Sequence, residues 1–415
     1  MKPVPDIDRM AGIECYCTDF SGTGGSIKQE SGGFKVSELV EGSFLAGVSP
    51  AFGGAHRYPL YVLEKEGLDS NHALMEIGRV HRLRLRVMGI KDAKAVTKQY
   101  AGASHAWNDP PKKLQTRHTV LFLQGFTKRP LGKESLAGNE FDITIHDAAG
   151  DTGCFAQEIS KIANFYGLQR FGSERLVTHL VGKEMVRRNF VCAVRLLLCH
   201  TTQYDSESSR EIRKKCEDPA NYRKALKEMP RGMDIERQLL GALVEGREPV
   251  AALRAVPITI RRLFVQAYQS FLFNRCLSLA IAAGEDIASP REGDLCFEME
   301  GPATFGRIIK FNSSGKKMVP AVRMAGYTFQ PGKGRFEAIT KELLEQEDVV
   351  AQDFYIKEMQ ELSQQGGFRQ APLWCRDFAS AQNPLRVSFK LPKGSYATTL
   401  LRELIKPEEP IRAGF

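Results

Sequence analysis

The alternation of apolar and polar residues predicts strands towards both ends of the chain and mostly helices between them. Alternation with a period of two predicts strands at residues 34–39, 56–63, 119–123, 139–145 and 386–392. Helical spacing predicts helices at residues 69–88, 155–166, 261–275, 336–362 and 400–405, and a charged helical stretch from about 186 to 248. Gly89 and Gly167 are expected to end the first two helices. Residues 293–330 turn to strand character, with a hairpin turn predicted at 312–315, so the middle should be helices and a small sheet.

Composition describes a folded, water-soluble protein. The 415 residues suffice for two or three domains, with 42% apolar and 26% charged residues. The most apolar run, residues 190–199, contains Arg195 and is too short to span a bilayer, and the first residues contain no apolar stretch typical of a secretory signal. Nine cysteines without framework spacing indicate reduced thiols, and we therefore predict a cytoplasmic protein without a metal site.

Positive charge is concentrated around one carboxylate. Residues 79–117 contain ten Lys or Arg against two acids, a sum of +8 when the whole chain carries only +9. Asp92 lies in this stretch among Lys91, Lys94 and Lys98. Such a region attracts a phosphate-rich partner and would hold the carboxylate ionised. The charge pattern alone favours a plainer interpretation, in which Asp92 only relieves repulsion between lysines on a solvated face.

A second stretch, residues 164–172, is rich in aromatic residues. Phe165, Tyr166 and Phe171 lie here with Asn164 and Arg170, between glycines. One interpretation is a small aromatic core beneath a glycine turn. The other is a loop on which a nucleobase stacks, because an aromatic face accepts any base and an arginine can hold its phosphate.

A glycine cluster at residues 21–25 precedes Lys28. The cluster lacks the terminal Gly-Lys-Ser/Thr of a phosphate-binding loop, so a nucleotide cradle is not predicted. A tight turn that delivers Lys28 at the end of a strand fits better. Taken alone, Lys28 would be an ordinary surface lysine.

Together these stretches resemble the TruD family of tRNA pseudouridine synthases. The resemblance rests on Gly89-x-Lys91-Asp92-x-x-Ala95-Val96-Thr97-x-Gln99, Asn164-Phe165-Tyr166-Gly167-x-Gln169-Arg170-Phe171-Gly172, Ala267-Tyr268-Gln269-Ser270-Phe271-Leu272-Phe273-Asn274-Arg275 and Leu391-Pro392-x-Gly394-Ser395-Tyr396-Ala397-Thr398. It implies an α+β fold, with a catalytic domain of mixed, largely antiparallel sheet and flanking helices. That domain would comprise residues 1–189 and 371–415, and an inserted α/β TRUD domain would occupy 190–370.

The resemblance also implies residue roles. Asp92 matches the family's catalytic aspartate, and Lys28 resembles the basic residue that pairs with it and keeps it ionised. Tyr166 would stack on a flipped uracil, with Asn164 beside it shaping the pocket. The family often has Tyr-Phe where this chain has Phe165-Tyr166, which gives the stacking ring a hydroxyl.

Further residues would complete the site. Tyr396 would line the pocket from the turn near the C-terminus. Gln99, Arg170 and Lys91 are expected nearby, as supports or phosphate contacts. The implied reaction uses no cofactor and no metal, and its substrate would be the uridine at position 13 in the D arm of tRNA. A monomer without an obligatory protein partner is the usual condition in the family.

Two other functions stay open at this point. One is a tRNA- or RNA-binding protein or chaperone that uses the same basic cleft without catalysis, against which the intact Asp92 argues. The other is an aspartate-dependent nuclease, which would need clustered carboxylates for Mg²⁺. Asp92 has no close acidic neighbour in its stretch.

Overall fold

The structure is a computed structural model that describes residues 2–301, 304–311 and 317–415. Its strands are β1 (Phe34–Val40), β2 (Tyr58–Lys65), β3 (Leu85–Val87), β4 (Val96–Ala103), β5 (Lys113–Gln115), β6 (Thr119–Thr127), β7 (Leu136–Ile145), β8 (Leu295–Met299), β9 (Phe305–Lys310), β10 (Met318–Met324), β11 (Gly367–Gln370), β12 (Arg376–Ala381) and β13 (Leu385–Pro392). Its α-helices are α1 (Asp6–Met10), α2 (Gly42–Ala46), α3 (Ser70–His81), α4 (Phe155–Glu158), α5 (Thr178–Val186), α6 (Phe190–Cys199), α7 (Glu207–Lys215), α8 (Tyr222–Glu228), α9 (Asp234–Val244), α10 (Pro249–Leu253), α11 (Ile258–Ala282), α12 (Arg335–Gln346) and α13 (Ala397–Ile405).

Two sheets organise the described residues. The larger has the order β12-β13-β7-β1-β4-β2-β6-β5, with β3 also paired to β4. Its neighbours are antiparallel except β1 and β4, which are parallel. The smaller has the order β11-β10-β8-β9 and is antiparallel. The predicted α+β fold with a mixed, largely antiparallel sheet is confirmed.

The parallel pair places two predicted site residues together. Parallel neighbours begin at the same edge of a sheet. The segments that precede β1 and β4 carry Lys28 and Asp92, respectively, so both residues emerge at one edge. On this sheet Phe141 and Phe389 stack with ring centroids 5.3 Å apart, and α13 packs its apolar face into the same core.

Helix α3 ends earlier than predicted. It stops at His81 rather than near Met88, and Arg82 closes it with a left-handed φ of 53°. The next residues form β3, which pairs with β4. Leu83 and Leu85 are both buried, so buried residues alternate with a period of two in this segment, as in a strand. The helical spacing of the preceding residues hid this alternation in the sequence. The predicted helix stop at Gly89 was therefore wrong.

The helix predicted at residues 155–166 was also wrong beyond its first turn. Helix α4 ends at Glu158, a 3-10 turn follows from Ile159 to Lys161, and Ala163 then forms a β-bridge with Pro372. The N–H of Asn164 donates to the carbonyl oxygen of Ala371 at 2.8 Å, so a segment distant in sequence supplies the hydrogen bond that a helix would otherwise make. Helix α12 likewise ends at Gln346, and two 3-10 turns replace the rest of the helix predicted at 336–362.

The division into a catalytic part (1–189 and 371–415) and an insert (190–370) stays a prediction. The large sheet draws its strands from residues 34–145 and 376–392, and the small sheet from 295–370. Helices α5 and α11 pack against each other across the predicted boundary at 189. The hairpin turn predicted at 312–315 lies outside the described residues. In the part of the chain that the structure describes, no helix is long and apolar enough to cross a membrane.

Candidate active site

The loop between β3 and β4 presents Asp92 to solvent while its neighbours are fixed. The N–H of Lys91 donates to Ser70 Oγ at 2.8 Å, and the N–H of Ser70 donates to the carbonyl oxygen of Lys91 at 3.2 Å. The ammonium of Lys91 forms an ion pair with Glu38 Oε1 at 2.8 Å, where the Glu38 side chain is fully buried. Asp92 itself is exposed. The ammonium of Lys91 therefore serves as a support and does not reach out to a phosphate.

Gln99 lies beneath this loop rather than in a cavity. It is 1% exposed, and its Oε1 accepts a hydrogen bond from Ser70 Oγ at 2.9 Å. Since Ser70 holds the main chain of Lys91, Gln99 supports the segment that leads into Asp92. The structure thus gives Gln99 a supporting position and places it away from any surface a substrate could touch.

A cavity of about 190 Å³ opens beside Asp92. Its polar lining residues come from five segments of the chain and are Lys28, Lys91, Asp92, Asn139, Gln169, Ser395, Tyr396 and Thr398. Burial lowers the pKa of Lys28, the charge of Asp92 opposes that shift, and Lys94 adds to it. The ammonium of Lys28 also lies 5.2 Å from the centroid of the Phe34 ring. Lys28, Asp92 and Tyr396 therefore line one cavity.

The turn that delivers Lys28 has the conformation expected from its glycines. Gly24 and Gly25 have φ values of 62° and 91°, and Lys28 itself has a left-handed φ of 61°. A Cβ on Gly25 would lie 2.4 Å from the carbonyl oxygen of His146, so only glycine fits there. The close approach to the end of β7 holds this turn against the large sheet.

Tyr166 lines a second, larger cavity. Its ring meets that of Tyr396 edge-on, with centroids 5.9 Å apart. Its main-chain N–H and carbonyl oxygen both bond to the side chain of Asn274, at 2.8 and 3.0 Å. Arg369 stacks on the ring, with its guanidinium carbon 4.0 Å from the centroid. Tyr166 is thus held rigidly, and its ring lines the larger cavity rather than the smaller one.

Asn164 is buried and does not reach the cavity beside Asp92. It is 1% exposed, and Arg369 donates to its main-chain oxygen at 3.0 Å and to its Oδ1 at 2.9 Å. Its Nδ2 donates to Gln370. The amide of Asn164 is thus bonded to Arg369 and Gln370, and its predicted role in shaping the pocket stays a prediction.

The larger cavity has a volume of about 570 Å³ and is lined by Tyr166, whose ring contacts Tyr396 of the smaller cavity. Arg170 lines it, donating to Ser270 Oγ at 3.1 Å and to Gln266 Oε1 at 3.4 Å. The remaining lining includes Lys393 and the exposed ring of Phe368. Cations together with aromatic and amide groups are the side chains with which proteins contact single-stranded nucleic acid. Arg170 therefore lines the larger cavity, and its contact with a phosphate stays a prediction.

Two important residues were missed from sequence. Glu38 lies on the apolar face of β1 with Phe34 and Val36, and an acid at a core position should have indicated a buried partner. Arg369 has no comparable signal, because it is an isolated basic residue in a short strand. Asn139 and Gln169 also line the small cavity without having been assigned a role.

Among residues 2–301, 304–311 and 317–415, no three His, Cys, Asp or Glu side chains gather as a metal site requires. What the cavity offers is an exposed carboxylate facing a space that holds one flat ring, with a cation beside it. A carboxylate in this setting can act as a nucleophile or stabilise a cationic sugar.

Comparisons with known proteins agree on one family. Residues 10–404 match the model of tRNA pseudouridine synthase D (TruD). A Methanopyrus kandleri protein is 35% identical, covering 86% of this chain and 88% of its own, and a Pyrobaculum neutrophilum protein is 33% identical over the whole of both chains. Both carry the name "Probable tRNA pseudouridine synthase D". A solved TruD structure from Methanosarcina mazei superposes with a TM-score of 0.79 at 27% identity, covering 99% of each chain.

Proposed function

The chain belongs to the tRNA pseudouridine synthase D (TruD) family, and we propose that it isomerises a uridine of tRNA at the cavity beside Asp92. The observation that carries the assignment is the convergence of Asp92, Lys28 and Tyr396 on a cavity of about 190 Å³. A space of that size holds a single base, which must leave the helical stack to enter it. Following the family, the proposed target is the uridine at position 13 of the D arm.

The proposed chemistry begins with the carboxylate of Asp92. The bond between the ribose C1′ and N1 of uracil breaks, the base rotates, and C1′ bonds to C5. The C5 proton is lost, N1 gains a proton, and Asp92 is the nucleophile that forms and releases an ester-like adduct. Since product and substrate are isomers, the reaction requires no redox or group-transfer partner, and we propose that it uses no cofactor.

The remaining residues would hold the base and the RNA chain. Lys28 stabilises the negative charge of Asp92 before attack. Tyr396 borders the cavity, and Tyr166 and Arg170 line the path by which the flanking nucleotides leave. Burial raises the pKa of the Tyr396 hydroxyl, so it stays protonated and can donate a hydrogen bond to the base. The monomeric state and the cytoplasmic location stay predictions.

The test is pseudouridine mapping by carbodiimide primer extension on tRNA incubated with wild-type, Asp92→Ala and Asp109→Ala protein. Asp109 is the other acid of the basic stretch at residues 79–117 and provides the matched control. We expect a new stop in the D arm with wild type and Asp109→Ala only, while all three proteins bind tRNA. Pseudouridine made by Asp92→Ala would contradict the assignment.

Other outcomes would identify the alternatives. Tight tRNA binding by wild type without any new stop would favour the non-catalytic RNA-binding protein. Strand cleavage that disappears with EDTA would indicate a metal-dependent nuclease. Release of tritium from C5-labelled uridine in intact RNA, with EDTA present, is the result that the proposed isomerase alone gives.

A further inference from the structure

A buried lysine lies directly beneath the loop that carries Asp92. Lys65 is the last residue of β2 and is only 2% exposed. Its Nζ donates to the carbonyl oxygen of Leu68 at 2.7 Å and to the carbonyl oxygen of Asp92 at 2.9 Å. The residue that the lysine holds is therefore the proposed nucleophile itself.

Packing alone does not explain a lysine at this position. Tyr61, Leu63 and Lys65 alternate along the same face of β2, and the first two are completely buried. An aliphatic residue would continue that face without the cost of moving an ammonium out of water. The ammonium is accommodated because main-chain carbonyl oxygens of two loops converge on it. The lysine is thus suited to joining these loops.

The contacts of Lys65 continue those of Ser70. Ser70 fixes the N–H and the carbonyl oxygen of Lys91, and Lys65 fixes the carbonyl oxygen of the next residue, Asp92. Three main-chain groups of Lys91 and Asp92 are therefore tied to the last residue of β2 and the first residue of α3. Such a fastening limits rotation of the peptides on either side of Asp92, which set the direction of its carboxylate.

We propose that Lys65 is a positioning residue for the reaction, whose ammonium fixes the Asp92 peptide so that the carboxylate faces the cavity beside Lys28. The inference rests on the proposed function of Asp92. Lys65 does not line either cavity described above, so it acts through Asp92 and not on the substrate. A reacting group displaced by about 1 Å can lose roughly 100-fold in rate, which is the scale of effect at stake.

The arrangement predicts a dependence on pH. Burial lowers the pKa of Lys65 to about 8, the charges of Asp69 and Asp92 oppose this shift, and Lys91 adds to it. These groups face Lys65 from the N-terminus of α3 and from the Asp92 loop. Above this pKa the amine is neutral and holds carbonyl oxygens less strongly. We expect turnover to fall as pH rises through about 8, while tRNA binding changes less.

The experiment compares Lys65→Met and Lys65→Arg with Lys406→Met. Lys406 is the matched control, since it is 3% exposed and its Nζ donates to the carbonyl oxygen of Thr18 at 2.7 Å, outside the cavities. We expect Lys65→Met to lower kcat about 10- to 100-fold with little change in KM for tRNA. Lys65→Arg should recover part of the rate and keep it above pH 8, because a guanidinium stays charged. Lys406→Met should lose thermal stability but keep kcat.

Several results would overturn the inference. A folded Lys65→Met protein with wild-type kcat would do so, as would an equal loss of kcat in Lys406→Met. If Lys65→Met does not fold, an alkaline fall in turnover that is the same in wild type and Lys65→Arg would contradict it. Failure of the proposed function is distinguishable, because wild type would then make no pseudouridine. Amide hydrogen exchange at residues 90–95 would still test whether Lys65 fixes the Asp92 loop. These amides should stay protected from exchange in Lys65→Arg but not in Lys65→Met.

Discussion

The two sides of the Asp92 loop use the same residue types for opposite purposes. On its buried side, Lys91 pairs with Glu38 at 2.8 Å and Lys65 holds two carbonyl oxygens. On its open side, Lys28 and the exposed Asp92 face a cavity, beside Ile90, which is 69% exposed. The polar groups of the buried side bond to the protein itself, whereas those of the open side stay accessible to a substrate.

The difference shows that burial and partners, not residue type, decide what each lysine does. Charges taken out of water must be paired, and removing one partner leaves the other charge stranded. Charges that border an open cavity keep part of their contact with water, so removing one costs less stability than removing a fully buried partner. The buried side should therefore respond to substitution through unfolding, and the open side through catalysis. Lys65 connects the two, because it is buried but holds the reacting residue.

The largest expected effect is on stability, from Lys91→Met. The variant leaves the fully buried carboxylate of Glu38 with the N–H of Tyr100, at 3.0 Å, but without its ion-pair partner. We expect a loss of about 3–5 kcal/mol in the free energy of unfolding, measured by chemical denaturation. The matched control is Lys94→Met, an exposed lysine of the same loop, which should change it by about 0.5 kcal/mol or less. Equal stability of the two variants would show that Glu38 and Lys91 are not buried together in solution.

Much of the frame of the site could be predicted from sequence. The strands at 34–39, 139–145 and 386–392 alternate cleanly, and all three occur in the large sheet as neighbours. Asp92, Lys28 and Tyr396 were placed at one site through the resemblance to a family, and they line one cavity. Local sequence patterns and motifs were sufficient to predict the position of these three residues. Each one lies just before or just after a strand, and the sheet fixes the position of that strand.

The burial of the supporting residues could not be predicted, because their partners are remote in sequence. Lys91 bonds to Glu38, 53 residues earlier, and Asn164 bonds to Arg369, 205 residues later. The extended chain at Tyr166 depends on Asn274, 108 residues away, which overrode a helical pattern. A prediction made from a short stretch of sequence cannot include two residues that lie so far apart in the chain. Sequence therefore placed Lys91 and Asn164 near the site without indicating the partners that bury them.

A smaller effect, on rate rather than stability, is expected from Lys28→Met. Burial lowers the pKa of Lys28 and the charge of Asp92 opposes that shift, so the variant removes the electrostatic partner of Asp92 at the cavity. We expect kcat to fall about 10- to 100-fold, with the unfolding transition nearly unchanged. Lys35→Met, which removes an exposed lysine of β1 outside the cavities, is the control. If Lys28→Met unfolds as readily as Lys91→Met, Lys28 belongs with the buried side and the contrast between the sides fails.

The smallest effect is expected from Ile90→Ser, which tests whether an apolar side chain on the open side of the loop contacts the substrate. Ile90 lines the small cavity next to Asp92, although 69% of its surface is exposed in the free protein. An apolar side chain there can be covered only when a ligand arrives. Covering part of it stabilises the complex by roughly 1 kcal/mol, so KM for tRNA should rise about two- to five-fold at constant kcat.

The control for Ile90→Ser is Met75→Ser on α3, because Met75 is 61% exposed and lines neither cavity. It should leave KM and kcat unchanged, since a scattered apolar residue on the surface has no partner to lose. A rise in KM shared by both variants would assign the effect to the general apolar surface of this region. A rise confined to Ile90→Ser would show that the open side of the loop contacts RNA with more than its charges, which the distribution of lysines alone does not predict.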